Sequence, residues 1–329
     1  MRRLVSVLAS GAALAGCGPG PMPARTRADA PEMPRERESR ERQRAADCAA
    51  ETALFFPGLG HVCQGRTAEA AVFMGLAAAE LGTAAAVMVH RDEGLEGASH
   101  PAAAAPLIAL QNLWAYSYAD ALFEEQRAGG MRYVPQDTPA ELATAPFNPS
   151  VLRHTDVWLG TLVMATLGVG LSLWVEPDAG RSRAGEDPNL FGRTVDRSWG
   201  YPAAGAIGVG LFQHVAMGEE ALFRGIIQSE MTRRSDETAG WVGGSLFFGF
   251  AHATNALAVP GDQSVRYLLY GVPYITTVGS FLGHSYRTHS FSLAPPVAIH
   301  FWYNLLLSAA FFALDPTDSP LSARVSLPF

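Results

Sequence analysis

The sequence predicts an all-α fold, a polytopic bundle of transmembrane helices with about seven spans after a signal peptide. Three observations predict it. Charged residues make up 17% and apolar residues 48% of the 329 positions, against a soluble average of about 25% charged. Apolar windows recur at the length of a bilayer crossing, about 20 residues. Ionisable residues inside three of those windows fall at helical spacing, as they do when they face a polar interior rather than lipid. The net charge of −7 and the pI near 5.7 leave no basic patch to neutralise phosphates, which excludes nucleic acid as a partner. All 24 basic residues are Arg, so no mechanism can use a Lys nucleophile or Schiff base.

The chain starts with Met1-Arg2-Arg3, a short positive stretch, then an apolar run from Leu4 to Leu14 that is too short to span. Leu14-Ala15-Gly16-Cys17 follows, and small residues before a cysteine resemble a bacterial lipoprotein lipobox. That resemblance implies a signal peptide over residues 1–17 and a lipid-anchored Cys17; the alternative is an uncleaved signal anchor. Residues 18–50 are rich in Pro, Arg and Glu, and this composition cannot bury a core, so they read as a disordered polar tether. Cys48 and Cys63 complete the cysteines. No Cys-x-x-Cys occurs, and whether the last two pair in an exported chain stays open.

The windows that qualify as spans run roughly over Ala68–Val89, Ala102–Leu122, Val157–Val175, Pro202–Met217, Trp241–Val259, Tyr267–Gly283 and Leu293–Leu314. The first contains Glu69 and Glu80. The fourth is short but continues past Glu219-Glu220 into Ala221–Ile227. Trp158, Trp174, Trp199, Tyr201, Trp241 and Tyr267 sit near span ends, where aromatic belts form. Gly240-x-x-x-Gly244 and Gly279-x-x-x-Gly283 suit close approach of helix backbones. The intervening loops carry near-balanced arginines, so charge does not settle topology. Phe56-Pro57-Gly58-Leu59-Gly60 reads as a tight turn entering a helix.

The chemistry concentrates after residue 150. Glu219-Glu220-x-x-x-Arg224 puts Glu220 and Arg224 one turn apart, able to pair, and turns Glu219 about 100° away. Phe248-x-x-x-His252 follows on the next span, and His300-x-x-x-Asn304 on the last. Each piece alone suits a buried polar network that fixes helix register. Together they supply an acid, two imidazoles, an amide and an internal ion pair.

In that order the three motifs resemble the CPBP family of intramembrane proteases, which includes type II CAAX endopeptidases and bacterial immunity-associated (ABI) proteins. The resemblance covers residues 151–315. It implies helices around a polar cavity, with Glu219 activating water helped by His252. It also implies Glu220 paired to Arg224, and His300 and Asn304 donating to the oxyanion. A carboxylate can serve as base where its surroundings bring its pKa toward neutrality. No cofactor is needed for that route, although Glu219, His252 and His300 are also zinc-ligand types. No Gly-x-Ser-x-Gly elbow supports serine catalysis. His214 lies about one and a half turns before Glu219, and a packing role is favoured there over lining the same cavity. His61, His90, His100, His154, His284 and His289 read as loop or span-end residues.

The expected organisation is a signal peptide (1–17), a tether (18–50), an N-terminal membrane module of unknown role (51–150), the protease-like domain (151–315) and a tail (316–329). The expected function is endopeptidase action on membrane-associated or exported peptides in the bacterial inner membrane. The rivals are a non-proteolytic binding or immunity protein with a structural polar network, and a transporter, for which no half-repeats appear.

Overall fold

The computed structural model describes residues 49–89, 101–175, 183–190, 193–257 and 261–317. The expected signal peptide with Cys17, and the tether up to Cys48, lie outside them. The regular structure of the described residues is helical, apart from an antiparallel ladder of two residues per strand, β1 (Asn189–Leu190) with β2 (Arg193–Thr194). It is an all-α membrane protein. Three of its helices are long and apolar enough to cross a bilayer: Thr67–Val89, Thr155–Val175 and Ala294–Leu314.

Two short helices, α1 (Ala49–Ala53) and α2 (Leu59–Cys63), precede the long α3 (Thr67–Val89) and α4 (Pro101–Ala128). The Pro57-Gly58 turn is real: Gly58 has φ 91° and donates its N–H to the Ser117 hydroxyl at 2.8 Å. A side chain there would meet the Ala70 carbonyl at 2.7 Å, so glycine is required for space as well as for φ. The turn delivers His61 into the fold rather than into a loop. His61 is fully buried and bonds Asp120 at 2.9 Å, and Arg66 reaches the same carboxylate oxygen at 2.7 Å. The expectation of a loop or span-end residue fails for His61, because its partner is 59 residues away in sequence. Cys63 is disulfide-bonded.

The connection to the second half is ordered by short helices: α5 (Pro139–Thr144), a 3₁₀ turn (Ala145–Phe147) and α6 (Pro149–Leu152). Thr138 and Glu141 form a reciprocal capping box at the start of α5. The segment then docks on the last helix. The Trp302 indole donates to the Pro146 carbonyl at 2.7 Å, and Asp137 accepts from both Ser292 Oγ and the Leu293 amide.

The remaining helices are α7 (Thr155–Val175), α8 (Arg197–Glu220), α9 (Ser229–Arg234), α10 (Glu237–His252), α11 (Gly261–Arg266), α12 (Val272–Thr288) and α13 (Ala294–Leu314). α8 does not stop where the apolar window does. A π-helical stretch, Ala221–Gln228, joins it to α9, making one continuous rod from 197 to 234. A second π-helical stretch, Tyr267–Gly271, joins α11 to α12. One end of the bundle is tied by Arg233 to the Arg132 carbonyl and by His289 to Asp156. The other end is tied by the Arg183 amide to the Leu314 carbonyl and by Arg266 to the Val175 carbonyl. The main apolar core threads Phe73, Leu113 and Phe123 of the N-terminal half together with Leu282, Tyr286 and Phe301 of the second. The two halves therefore share one core.

Trp158, Trp174 and Trp199 are half to three-quarters exposed, as belt residues should be. Tyr267 is the exception. It is buried, donates to the His252 carbonyl at 3.2 Å and accepts from Asn255.

Candidate active site

The rod formed by α8 and its π-helical extension carries Glu219, Glu220 and Arg224. The Arg224 guanidinium is 1% exposed, and three groups hold it. Nη1 donates to Glu220 Oε1 at 3.0 Å, and Nη2 to the Gly279 carbonyl at 2.8 Å. The plane lies over the Phe248 ring at 4.3 Å. The two glycine pairs explain how helices come this close. A Cβ on Gly279 would sit 2.7 Å from the Phe248 ring, and one on Gly283 would sit 2.7 Å from Gln228 Oε1. Bare backbone at these positions leaves the α12 carbonyls open to side-chain donors: Arg224 takes Gly279, Gln228 takes Gly283, and Trp241 takes Ser280.

Glu220 Oε1 is shared. It also meets His300 Nδ1 at 2.7 Å. Glu220 is fully buried, so an ionised carboxylate needs these two donors. That fixes the tautomer of His300: Nδ1 carries the proton and Nε2 is left free. His252 is fixed in the same sense, because its Nδ1 lies 2.8 Å from the Phe248 carbonyl, which can only accept. Both free Nε2 atoms turn toward Glu219. They stand 3.7 Å (His252) and 3.8 Å (His300) from its Oε2. Those separations are too long for direct hydrogen bonds and suit one small bridging molecule. Glu219 Oε2 is itself buried and hydrogen-bonds nothing among the described residues. The Glu219 side chain as a whole is 21% exposed.

Five of the six expected residues thus come together from three helices, Glu219, Glu220, Arg224, His252 and His300. Asn304 follows His300 by one turn of α13, half-buried, with its amide unengaged among the described residues. Phe248 is a further site residue beyond these six. Its ring touches Arg224, His252 at 4.5 Å, His300 at 6.0 Å and Phe223 at 5.0 Å, so it is the apolar hub of the cluster. Its place one turn before His252 was the available signal. Tyr267 gave no signal, because a tyrosine near a span end looks like a belt residue.

His214 turns away from the cluster. Its Nε2 lies 3.2 Å from Glu80 Oε1 of α3, and its Nδ1 donates to the Gly210 carbonyl. This contact gives the mid-helix glutamate of α3 a partner. The other glutamate of that window, Glu69, pairs with Arg66 at the helix start.

The donor types of Glu219, His252 and His300 fit a zinc ion: an orphaned buried carboxylate oxygen and two imidazole nitrogens without protons. Each imidazole nitrogen stands within 4 Å of the carboxylate oxygen, at 3.7 and 3.8 Å. Among the described residues, the set of three such groups with ligand atoms all within 4.8 Å of one another is His154, Asp156 and His289.

Residues 202–306 match the family model described as type II CAAX prenyl endopeptidase Rce1-like. No curated protein and no solved structure matches the chain. The matched stretch holds all six expected site residues. Residues 202–306 are therefore similar to a type II CAAX prenyl endopeptidase domain of the Rce1-like kind, in line with the resemblance of the three motifs.

Proposed function

We propose that the chain is an intramembrane endopeptidase in which Glu219 activates the attacking water. The observation that carries this reading is the convergence on Glu219 Oε2 of two imidazole nitrogens stripped of protons by their other contacts. A water about 2.8 Å from Glu219 and from His252 Nε2 donates a hydrogen bond to each. Glu219 takes one proton as the water oxygen bonds to the scissile carbonyl carbon. The oxygen of that carbonyl becomes an oxyanion. Asn304 Nδ2 donates to it, while His300, whose ring proton lies on Nδ1 toward Glu220, has no proton on Nε2 to give. The C–N bond then breaks, and the proton on Glu219 passes to the leaving nitrogen. Loss of one oxyanion donor typically costs about 10²–10³ in rate.

A zinc ion would find its donors in Glu219, His252 and His300 and, when bound, would lower the pKa of a bound water to about 7. Tetrahedral zinc brings its ligands to about 3.4 Å from one another.

The substrate class is a membrane-associated or exported peptide in contact with lipid, and the location is the bacterial cytoplasmic membrane, crossed about seven times. The disulfide at Cys63 favours an oxidising side for the α2 end of the bundle. The experiment is cleavage of a peptide library by protein in liposomes, comparing wild type with Glu219→Gln and His252→Ala, each checked for folding. Loss of every wild-type product in both variants supports the assignment. Products that persist at wild-type rate in Glu219→Gln refute it and favour a scaffold role for the polar cluster.

A further inference from the structure

The two histidines that the sequence left as span-end residues meet at the tied end of the bundle. His154 stands immediately before α7, Asp156 lies in the first turn of α7, and His289 caps the end of α12. His289 Nε2 lies 2.9 Å from Asp156 Oδ2. The His154 and His289 rings meet edge to face at 4.6 Å. One ligand atom from each of the three residues lies within 4.8 Å of the other two. All three side chains are half-buried, so they are held in place yet reachable.

We propose that His154, Asp156 and His289 form a binding site for a zinc-class divalent transition-metal ion. Three lines of chemistry support it. Two imidazoles and one carboxylate are a donor set that such ions select, whereas calcium and magnesium prefer all-oxygen sites. A tetrahedral ion needs about 3.4 Å between ligand atoms, and the three here lie within 4.8 Å of one another. Neutral imidazoles offer little to each other edge to face, and no side-chain hydrogen bond engages His154 among the described residues. An ion would give both rings a common partner, and solvent would complete its coordination from the exposed side.

The backbone around the site is already set. The His289 amide donates to the Ser285 carbonyl, Phe291 to that of Tyr286, and Ser292 to that of His289. Asp137 holds Ser292 and Leu293 just beyond. Ser285 Oγ approaches Asp156 Oδ2 at 3.4 Å and can orient the carboxylate as an outer-shell donor. The site joins parts of the chain 133 residues apart, so a bound ion would tie the start of α7 to the end of α12. It is separate from the glutamate cluster: ten residues of helix, about 15 Å, lie between Gly279 and His289. The inference stands on its own, whether or not the glutamate cluster cleaves peptides.

The test uses the full chain in detergent with zinc alone as the probe. A Glu219→Gln, His252→Ala background silences the other histidine–glutamate set. Zinc is titrated in competition with a chromogenic chelator. The expected result is one equivalent bound in this background, with affinity falling at least tenfold on adding His289→Ala or His154→Ala. Cobalt in place of zinc should give the visible bands of a four-coordinate histidine–carboxylate site. A second measurement needs no substitution: diethylpyrocarbonate labelling of wild type, read residue by residue. Zinc should protect His154 and His289 and leave exposed His284 labelled. No binding in the background, equal binding after both histidines are removed, or unchanged labelling of His154 and His289 would each overturn the proposal.

Discussion

Replacing Arg224 with Met removes the cation while keeping most of the side chain's length. The side chain is 1% exposed and makes two hydrogen bonds and a ring contact, to Glu220, Gly279 and Phe248. Without it, Glu220 keeps only the His300 contact in a fully buried position. Breaking one side of a buried pair typically costs about 3–5 kcal/mol, because the partner charge stays uncompensated. The lost desolvated cation–π contact is worth about 2 kcal/mol more, partly offset by packing of the Met chain. The expected destabilisation is therefore about 4 kcal/mol. Adding Glu220→Gln to Arg224→Met removes the stranded charge, and the pair should recover about half of that loss. Reversible unfolding in mixed micelles, followed by fluorescence of the six tryptophans, gives the four corners of the cycle. An Arg224→Met protein within about 1 kcal/mol of wild type, or additive single and double variants, would refute the argument that Glu220 depends on Arg224.

Other consequences follow from single contacts. Gly279→Ala places a methyl 2.7 Å from the Phe248 ring, so overpacking should cost about 1–3 kcal/mol and slow cleavage by tilting the hub against which His252 and His300 rest; unchanged rate and melting would exclude that coupling. Glu80→Leu in α3 removes the partner of His214 and should loosen α3 from α8, seen as faster hydrogen exchange in α3; protection equal to wild type would show the contact carries nothing. The Thr138 backbone N–H and hydroxyl hold the Glu141 carboxyl below the usual carboxylate range. Its contribution is therefore present above the unfolded value of about 4.3 and is lost as pH falls through the lower folded value. Thr138→Ala should remove about 1 kcal/mol at neutral pH and less at pH 3, measured by unfolding at both; an equal loss at both would exclude the ionised capping box.

Much of the bundle is legible because crossing a bilayer demands length and apolarity together. The windows at Ala68–Val89, Val157–Val175 and Leu293–Leu314 match helices Thr67–Val89, Thr155–Val175 and Ala294–Leu314 to within a few residues. The window ending at Met217 understates its helix, since Glu219, Glu220 and Arg224 break the apolar run while satisfying one another inside the fold. The window reaching Val259 overstates its helix, which stops at His252 and gives way to a 3₁₀ turn. The glutamate cluster is legible because its residues fall at helical spacing, with pairs close along the chain. Partners far apart leave no such trace. His61 with Asp120, Glu80 with His214, and His154 with His289 are separated by 59 to 135 residues, and nothing local distinguishes these histidines from loop residues. Tyr267 was misplaced for the same reason: its hydroxyl partners, His252 and Asn255, sit on another element.

The central claim is that Glu219, without a metal ion, activates the water. Single-turnover cleavage of a responsive peptide in liposomes tests it most directly, comparing wild type and Glu219→Gln with and without a zinc chelator. The account predicts a fall of 10³-fold or more, about 4 kcal/mol of barrier, in Glu219→Gln and an unchanged wild-type rate under chelation. Cleavage abolished by the chelator and restored by zinc, or a Glu219→Gln rate within tenfold of wild type, would contradict it.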